Sequence, residues 1–322
     1  MASTERSGGL LTVTSDEDGS RLDRVLLRRL GNGYRSLIMR LVRKGNVRVN
    51  GKRAKPDSRL VAGDTVFLPA SLRGEGPPSA EKGAVVPRAL LDRVSALPVL
   101  FEDDNLLVVN KPAGMVVHGG SGHEAGLIEA LKAQRGLSDL RLAHRLDRDT
   151  SGVLLMAKNL SSLRQLTEGF REREMQKTYF ALVAGHPYPY AGRMQSHLAK
   201  GVEVGGERMV VDDAHGKEAI TDYQVVMQFA HDGLDYALLA LKPHSGRTHQ
   251  LRVQLQQEGH AILGDQKYAG KDELAAFRAL GGKGLMLHAW RLRFAHPQND
   301  KAMELRVALP QAWYRLMEEG RV

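Results

Sequence analysis

The chain has no cysteine, which excludes a disulfide, a thiolate metal site, an iron–sulfur cluster and a cysteine nucleophile. Such a chain fits a reducing compartment. Long hydrophobic runs are missing too: stretches such as Ala237-Leu238-Leu239-Ala240-Leu241 fall far short of the ~18 apolar residues that a membrane span needs. The opening MASTERSGGLLTVTSDEDGS has neither a basic start nor an apolar core, so it does not read as a secretion signal. A soluble, cytoplasmic protein is expected. Several familiar chemistries lack their motifs. There is no G-x-x-x-x-G-K-[ST] phosphate loop, no H-E-x-x-H helix and no G-x-S-x-G elbow. Gly120-Ser121-Gly122 lacks dinucleotide spacing and reads as a glycine-rich turn. The 12 histidines, His118, His144, His244 and His249 among them, show no metal-ligand spacing. Neither a metal nor a cofactor is expected.

What is present suffices for a folded core: 42% of residues are hydrophobic and 26% charged. At ~150 residues per domain, 322 residues suggest roughly two domains. The net charge of +9 is unevenly spread. Between Arg21 and Arg59 thirteen basic residues oppose only Asp23 and Asp57, a local net of +11 that leaves the rest of the chain at −2. Apolar positions in that segment keep helical spacing, first Leu22, Val25, Leu26 and Leu30, then Leu37, Ile38, Leu41 and Val42 after the Gly31-Asn32-Gly33 break. Gly45 ends the second helix, and Val47-Arg48-Val49-Asn50-Gly51 reads as a strand running into an Asn-Gly turn. Two basic amphipathic helices on a small β element would present a cationic face suited to the phosphates of a folded nucleic acid. The competing reading is a solvated charge face without a partner, although mixed signs are the usual choice for solubility alone.

Residues 19–69 resemble the S4 RNA-binding domain, through Arg21-Leu22-Asp23, the run Ser36 to Lys44, Gly45-Asn46-Val47-Arg48-Val49-Asn50-Gly51-Lys52 and Ala62-Gly63-Asp64. That resemblance implies a module that docks on structured RNA and assigns the contact to Arg35, Arg40, Arg43, Lys44, Arg48 and Lys52. Residues 1–18 are expected to be a flexible start. The glycine- and proline-rich stretch 70–93 has linker composition, and 94–322 is of a size for one large domain.

In that larger part the patterning predicts strands at 99–102, 106–110, 152–157, 178–184, 219–229, 234–242, 286–294 and 302–308, with a further short strand at Met115-Val116-Val117-His118. Helices are predicted at 126–134, 160–174, 248–258 and 311–319. Strands joined by short turns outnumber strand–helix–strand crossovers, which points to an α+β domain on a mixed, mostly antiparallel sheet.

One polar stretch stands out. His144-Arg145-Leu146-Asp147-Arg148-Asp149-Thr150-Ser151-Gly152 sets two carboxylates and two guanidiniums directly before an apolar strand, where a rigid scaffold can carry a site. If 144–149 is extended, Asp147 and Asp149 share a face; alternatively, Asp149-Thr150-Ser151-Gly152 is simply a turn. The residues alone leave both open.

This nine-residue run resembles the signature of the RluA family of pseudouridine synthases. The similarity continues through Gly114-Met115-Val116-Val117-His118, Gln176-Lys177-Thr178-Tyr179, Ser245-Gly246-Arg247-Thr248-His249-Gln250-Leu251-Arg252, Leu287-His288-Ala289 and Phe294-Ala295-His296-Pro297. Within the family it looks most like the RluC type, which acts on large-subunit ribosomal RNA; Gln254 departs from the histidine common there. The resemblance implies an isomerase that needs no cofactor. It makes Asp147 the catalytic carboxylate, Arg252 its cationic partner and Tyr179 the ring that stacks on the target base. It also implies that Arg145 fills the space left by a flipped uridine or holds the backbone, with Leu251 near the base. His249 and His288 are expected to brace the walls. Ribosomal RNA is the expected partner, the protein a monomer without membrane or nucleotide cofactor. Alternatives are a synthase acting on transfer RNA or another ribosomal helix, a non-catalytic ribosome-assembly factor, and a metal-dependent RNA hydrolase.

Overall fold

The structure is a computed structural model in which residues 9–31, 34–72, 86–119, 125–204 and 207–320 are described. The chain divides into two units, Met1–Val85 and Val86–Val322. In the first, the helical apolar spacing becomes α1 (Leu22–Leu30) and α2 (Arg35–Lys44). Their inner faces bury Leu22, Val25, Leu26, Ile38, Leu41 and Val42. Four short strands, β1 (Leu10–Thr12), β2 (Arg48–Val49), β3 (Lys52–Arg53) and β4 (Thr65–Phe67), form an antiparallel sheet in the order β1-β4-β2-β3. The expected Asn50-Gly51 turn joins β2 to β3. The Gly31-Asn32-Gly33 break lies partly, and Gly120-Ser121-Gly122 wholly, outside the described residues.

Two boundaries are corrected. The second half of the expected flexible start is built into the first unit: β1 pairs with β4, and buried Glu17 pairs with Arg29. An apolar Leu11-Val13 flank and one buried carboxylate suffice to fix a segment whose composition looks like a tail. The expected linker at 70–93 is also too long. Leu72 is buried in the first core, and α3 (Arg88–Ser95) already belongs to the second unit, where it buries Val94 against α4 (Leu127–Arg135).

The second unit is one large sheet in the order β11-β10-β12-β13-β9-β14-β8-β6-β5, with β15 on β14 and β7 on β8. Its strands are β5 (Val99–Glu102), β6 (Leu106–Lys111), β7 (Arg141–Leu142), β8 (Ser151–Ala157), β9 (Gln176–Ala184), β10 (Ala191–Val204), β11 (Glu207–Asp212), β12 (Lys217–His231), β13 (Leu234–Pro243), β14 (Leu287–Ala295) and β15 (Ala302–Arg306). Among the described pairings β14 with β8 is parallel and the others are antiparallel, so the sheet is mixed and mostly antiparallel as expected. Strand β8 is buried throughout, as a strand covered on both faces must be. Leu154 and Met156 pack with α3 and α4, while Val153 and Leu155 pack with Leu166 of α5 (Leu160–Arg171). A third core joins β9, β13 and β14 to α6 (Gln250–Gln257), α7 (Lys271–Ala279) and α8 (Gln311–Glu319).

Met115-Val116-Val117-His118 is not a strand but a bent segment. Met115 and Val117 are buried, so its apolar residues plug a core without joining a ladder. Helix α5 ends at Arg171, three residues short of the expected 174.

Candidate active site

The loop before β8 is anchored from three sides. His144 Nε2 accepts the Leu155 N–H at 3.0 Å; burial first, and the charge of Lys177 second, push this imidazole down to about 3, so it stays a neutral acceptor. Lys111, fully buried at the end of β6, donates to the carbonyls of Pro112, Met115 and Arg148 at 3.0, 3.0 and 2.8 Å. Three acceptors match the three hydrogens of an ammonium, although burial pushes its pKa down to about 7. Ser151 Oγ lies 2.8 Å from His288 Nδ1 across the parallel β8–β14 pair. One residue on, Gly152 has φ +116°, and a Cβ there would sit 2.2 Å from the Ala289 carbonyl oxygen. Only glycine lets the two strands approach so closely.

Between these anchors the chain turns. The Thr150 N–H reaches the Asp147 carbonyl at 3.2 Å, so 144–149 is not extended and the two carboxylates do not share a face. Asp149 is occupied by its neighbour Arg148 at 3.0 Å. Asp147, 30% exposed at its side chain, instead faces α6: Arg252 Nη1 is 3.5 Å and His249 Nε2 3.9 Å away, both toward Oδ2. The expected Asp147–Arg252 pair is therefore present but loose. The tight partner of Arg252 is Asp265, which no sequence signal had marked. Asp265 takes Nε and Nη2 at 2.7 Å each and accepts the Lys267 and Tyr268 N–H groups at 3.0 and 3.2 Å. Gly264 before it has φ +74°, and a Cβ there would fall 1.8 Å from the Gly284 carbonyl oxygen. Burial is the largest influence on Arg252 and works against its charge, but the Asp265 hydrogen bonds together with the charges of Asp265 and Asp147 outweigh it and raise its pKa. Tyr268 lies under this guanidinium, 5.1 Å from Cζ to ring centre.

Asp147, Tyr179, Leu251 and Arg252 line a cavity of about 100 Å³, together with Arg145, Lys177 and Leu287. Burial first, then the charge of Asp147, push the Tyr179 phenol upward, so it remains a neutral ring. Leu251 is buried, while Arg145 is exposed at the rim. Lys177 donates to the Ser245 carbonyl at 3.0 Å, and burial lowers its pKa to about 8. The cavity shares Arg145, Asp147, Lys177 and Tyr179 with a groove of about 1040 Å³ between α4, α5 and residues 244–248. Lys132, Arg141, Arg148, Arg171 and Arg247 line that groove. Its cations and the aromatic Phe170–His144 contact at 5.1 Å offer charge for phosphates and flat faces for bases. Gln254, the departure from the family pattern, is buried and binds Thr221, Ser196 and Ala219, tying α6 to β10 and β12.

In the first unit Arg40, Arg43, Lys44, Arg48 and Lys52 are exposed; of Arg35 only the backbone is described.

A family model for RNA pseudouridylate synthase matches residues 105–257, and one for the S4 domain matches residues 20–66. Asp147, Tyr179 and Arg252 fall inside the first match, Asp265 and Tyr268 beyond it. The chain is 43% identical over 303 residues to ribosomal large subunit pseudouridine synthase C of Yersinia pestis, covering 93% of this chain and 92% of that protein. It is 41% identical over 317 residues to the protein of the same name from Escherichia coli (strain K12), covering 97% and 96%. Among solved structures, human RNA pseudouridylate synthase domain containing 4 superposes with a TM-score of 0.58 at 28% identity, covering 74% of this chain and 96% of that one.

Proposed function

Since the chain belongs to the RNA pseudouridylate synthase family, we propose that it converts uridines of large-subunit ribosomal RNA to pseudouridine, with Asp147 as the reacting carboxylate. The observation that carries the reading is that Asp147 stands half-open at the junction of a small cavity and a cation-lined groove, 3.5 Å from a guanidinium already held by Asp265. The target is the one named in relatives that match almost end to end.

The reaction breaks the bond from ribose C1′ to uracil N1 and joins C1′ to C5, while C5 releases its hydrogen as a proton and N1 regains one. A uridine must first leave its stack, at a cost of a few kcal/mol. The flipped base rests on Tyr179, and Arg145 at the rim takes the vacated place or grips the backbone. Asp147 then acts on the ribose, as a nucleophile at C1′ or as a base, and either role requires an ionised, aimed carboxylate. Because Asp265 rather than Asp147 fixes Arg252, the carboxylate is stabilised without being pinned. Preorganised charge of this kind costs no rearrangement during reaction. The exposed cations of the first unit dock on folded RNA, and the protein works as a monomer in the cytoplasm.

The test is a nucleotide-resolution map of pseudouridine in ribosomal and transfer RNA from cells lacking the protein, complemented with wild type or Asp147→Asn. Large-subunit sites should vanish and return only with wild type. Loss confined to transfer RNA would redirect the substrate, and restoration by Asp147→Asn would reject the residue's role.

A further inference from the structure

His249 was expected to brace a wall, yet its geometry points inward. It precedes α6 with φ +53°, a left-handed conformation that costs a residue with a Cβ on the order of 1 kcal/mol or more and persists where surroundings demand it. Its ring stands edge-on to Tyr268 at 5.6 Å, with Nδ1 2.8 Å from the Tyr268 hydroxyl. That hydroxyl already accepts the Val210 N–H of β11 at 3.1 Å. Its single hydrogen needs an acceptor, and among the described contacts Nδ1 is the one in reach. With that hydrogen given to Nδ1, the imidazole proton sits on Nε2, the nitrogen 3.9 Å from Asp147 Oδ2. Burial favours the neutral ring, with Arg252 and Lys267 acting in the same direction and Asp147 and Asp265 opposing. Tyr268 thus touches both groups that face the carboxylate: it bonds His249 and underlies Arg252.

We infer that His249 is a positioning residue: Tyr268 locks its ring in the Nε2–H form, and that N–H, with Arg252, holds Asp147 through Oδ2 so that Oδ1 is presented to the ribose. The 3.9 Å separation closes when RNA fills the cavity, as hydrogen bonds in empty sites commonly do. The inference rests on Asp147 being the reacting group.

The experiment measures single-turnover tritium release from C5-labelled uridine in RNA at saturating enzyme, with RNA Kd determined separately. His249→Leu removes the N–H, His249→Gln supplies one near the position of Nε2, and Tyr268→Phe removes the lock. His249→Leu should slow the step about tenfold with Kd within about twofold, the loss expected for one hydrogen bond to a charged group. The glutamine variant should recover most of that rate. Selective ¹⁵N-histidine spectra, assigned by difference against His249→Gln, should show Nε2–H in wild type and mixed tautomers in Tyr268→Phe. Equal rates for the leucine and glutamine variants, fast or slow, would overturn the inference, as would an Nδ1–H signature in wild type. Asp147→Asn in the same assay separates the two readings: if it is active, the catalytic assignment fails; if it is inactive while His249→Leu matches wild type, only the positioning role fails.

Discussion

Asp265→Asn tests whether Arg252 is held from behind. The carboxylate is fully buried and serves four donors: Oδ2 takes Arg252 Nε, while Oδ1 takes Arg252 Nη2 and the N–H groups of Lys267 and Tyr268. An amide keeps the shape but has one acceptor oxygen. With that oxygen in the Oδ1 place its NH₂ meets Arg252 Nε; turned over, the NH₂ meets three donors. One charge-assisted bond, ~1.5–3 kcal/mol, is lost in the better case, and the guanidinium keeps its charge with no buried counterion. Breaking a buried pair from one side costs about 3–5 kcal/mol, which sets the expected loss of stability. Function should suffer more than that loss explains. Arg252 would close on Asp147, the anion remaining within its reach at 3.5 Å, and turn a poised carboxylate into a clamped one. Losing the fixed placement of that guanidinium should slow turnover by about 100-fold or more, the size seen when a preorganised electrostatic group is removed. The assay is tritium release from C5 at a temperature where circular dichroism shows the variant folded. Asp149→Asn is the control: its partner is the neighbouring exposed Arg148, a pair whose loss should cost under about 1 kcal/mol. A rate for Asp265→Asn within about threefold of wild type would refute the argument that Asp265 sets the position of Arg252.

Three further outcomes follow from the same structure. Lys111→Met leaves the carbonyls of Pro112, Met115 and Arg148 without their donor, so stability should fall by about 2–4 kcal/mol and the Thr150 amide should exchange faster with solvent; unchanged exchange would mean that the lysine does not brace the turn. Burial lowers His288 from 6.5 to about 4, so in that window the unfolded chain binds the extra proton and stability drops as pH falls from 6.5 toward 4, by about 3 kcal/mol for the full shift. Thermal melts across this range should show the decline, to which the buried His144, held down at about 3, adds a slope of its own; His288→Gln should lower the slope by about one proton, and an identical slope in the variant would assign the proton elsewhere. Substituting Arg40, Arg43 and Arg48 together by glutamine should reduce the slope of log K against log salt by about 1 per lost phosphate contact, and an undiminished slope would place RNA on another surface.

Legibility followed the scale of the interaction. Where a segment buries its own apolar stripe, as α1, α2 and α8 do, or is apolar from end to end, as β8 is, its own residues located it within a residue or two. Strands β10 and β11 escaped, because Ala-Gly-Arg-Met-Gln-Ser-His-Leu has little alternation and is held by its ladder to β12. The carboxylate, its guanidinium and the aromatic ring were reachable through the motifs that contain them, and the fold brings all three to one cavity. Asp265 and Tyr268 were not, since Gly264-Asp265-Gln266-Lys267-Tyr268 reads as any polar turn between helices. Their importance arises from meeting Arg252 and His249 across that turn. Motif residues name the atoms that react, whereas the residues that aim them are defined by contacts between segments, so the supporting side of such a site has to be read from coordinates.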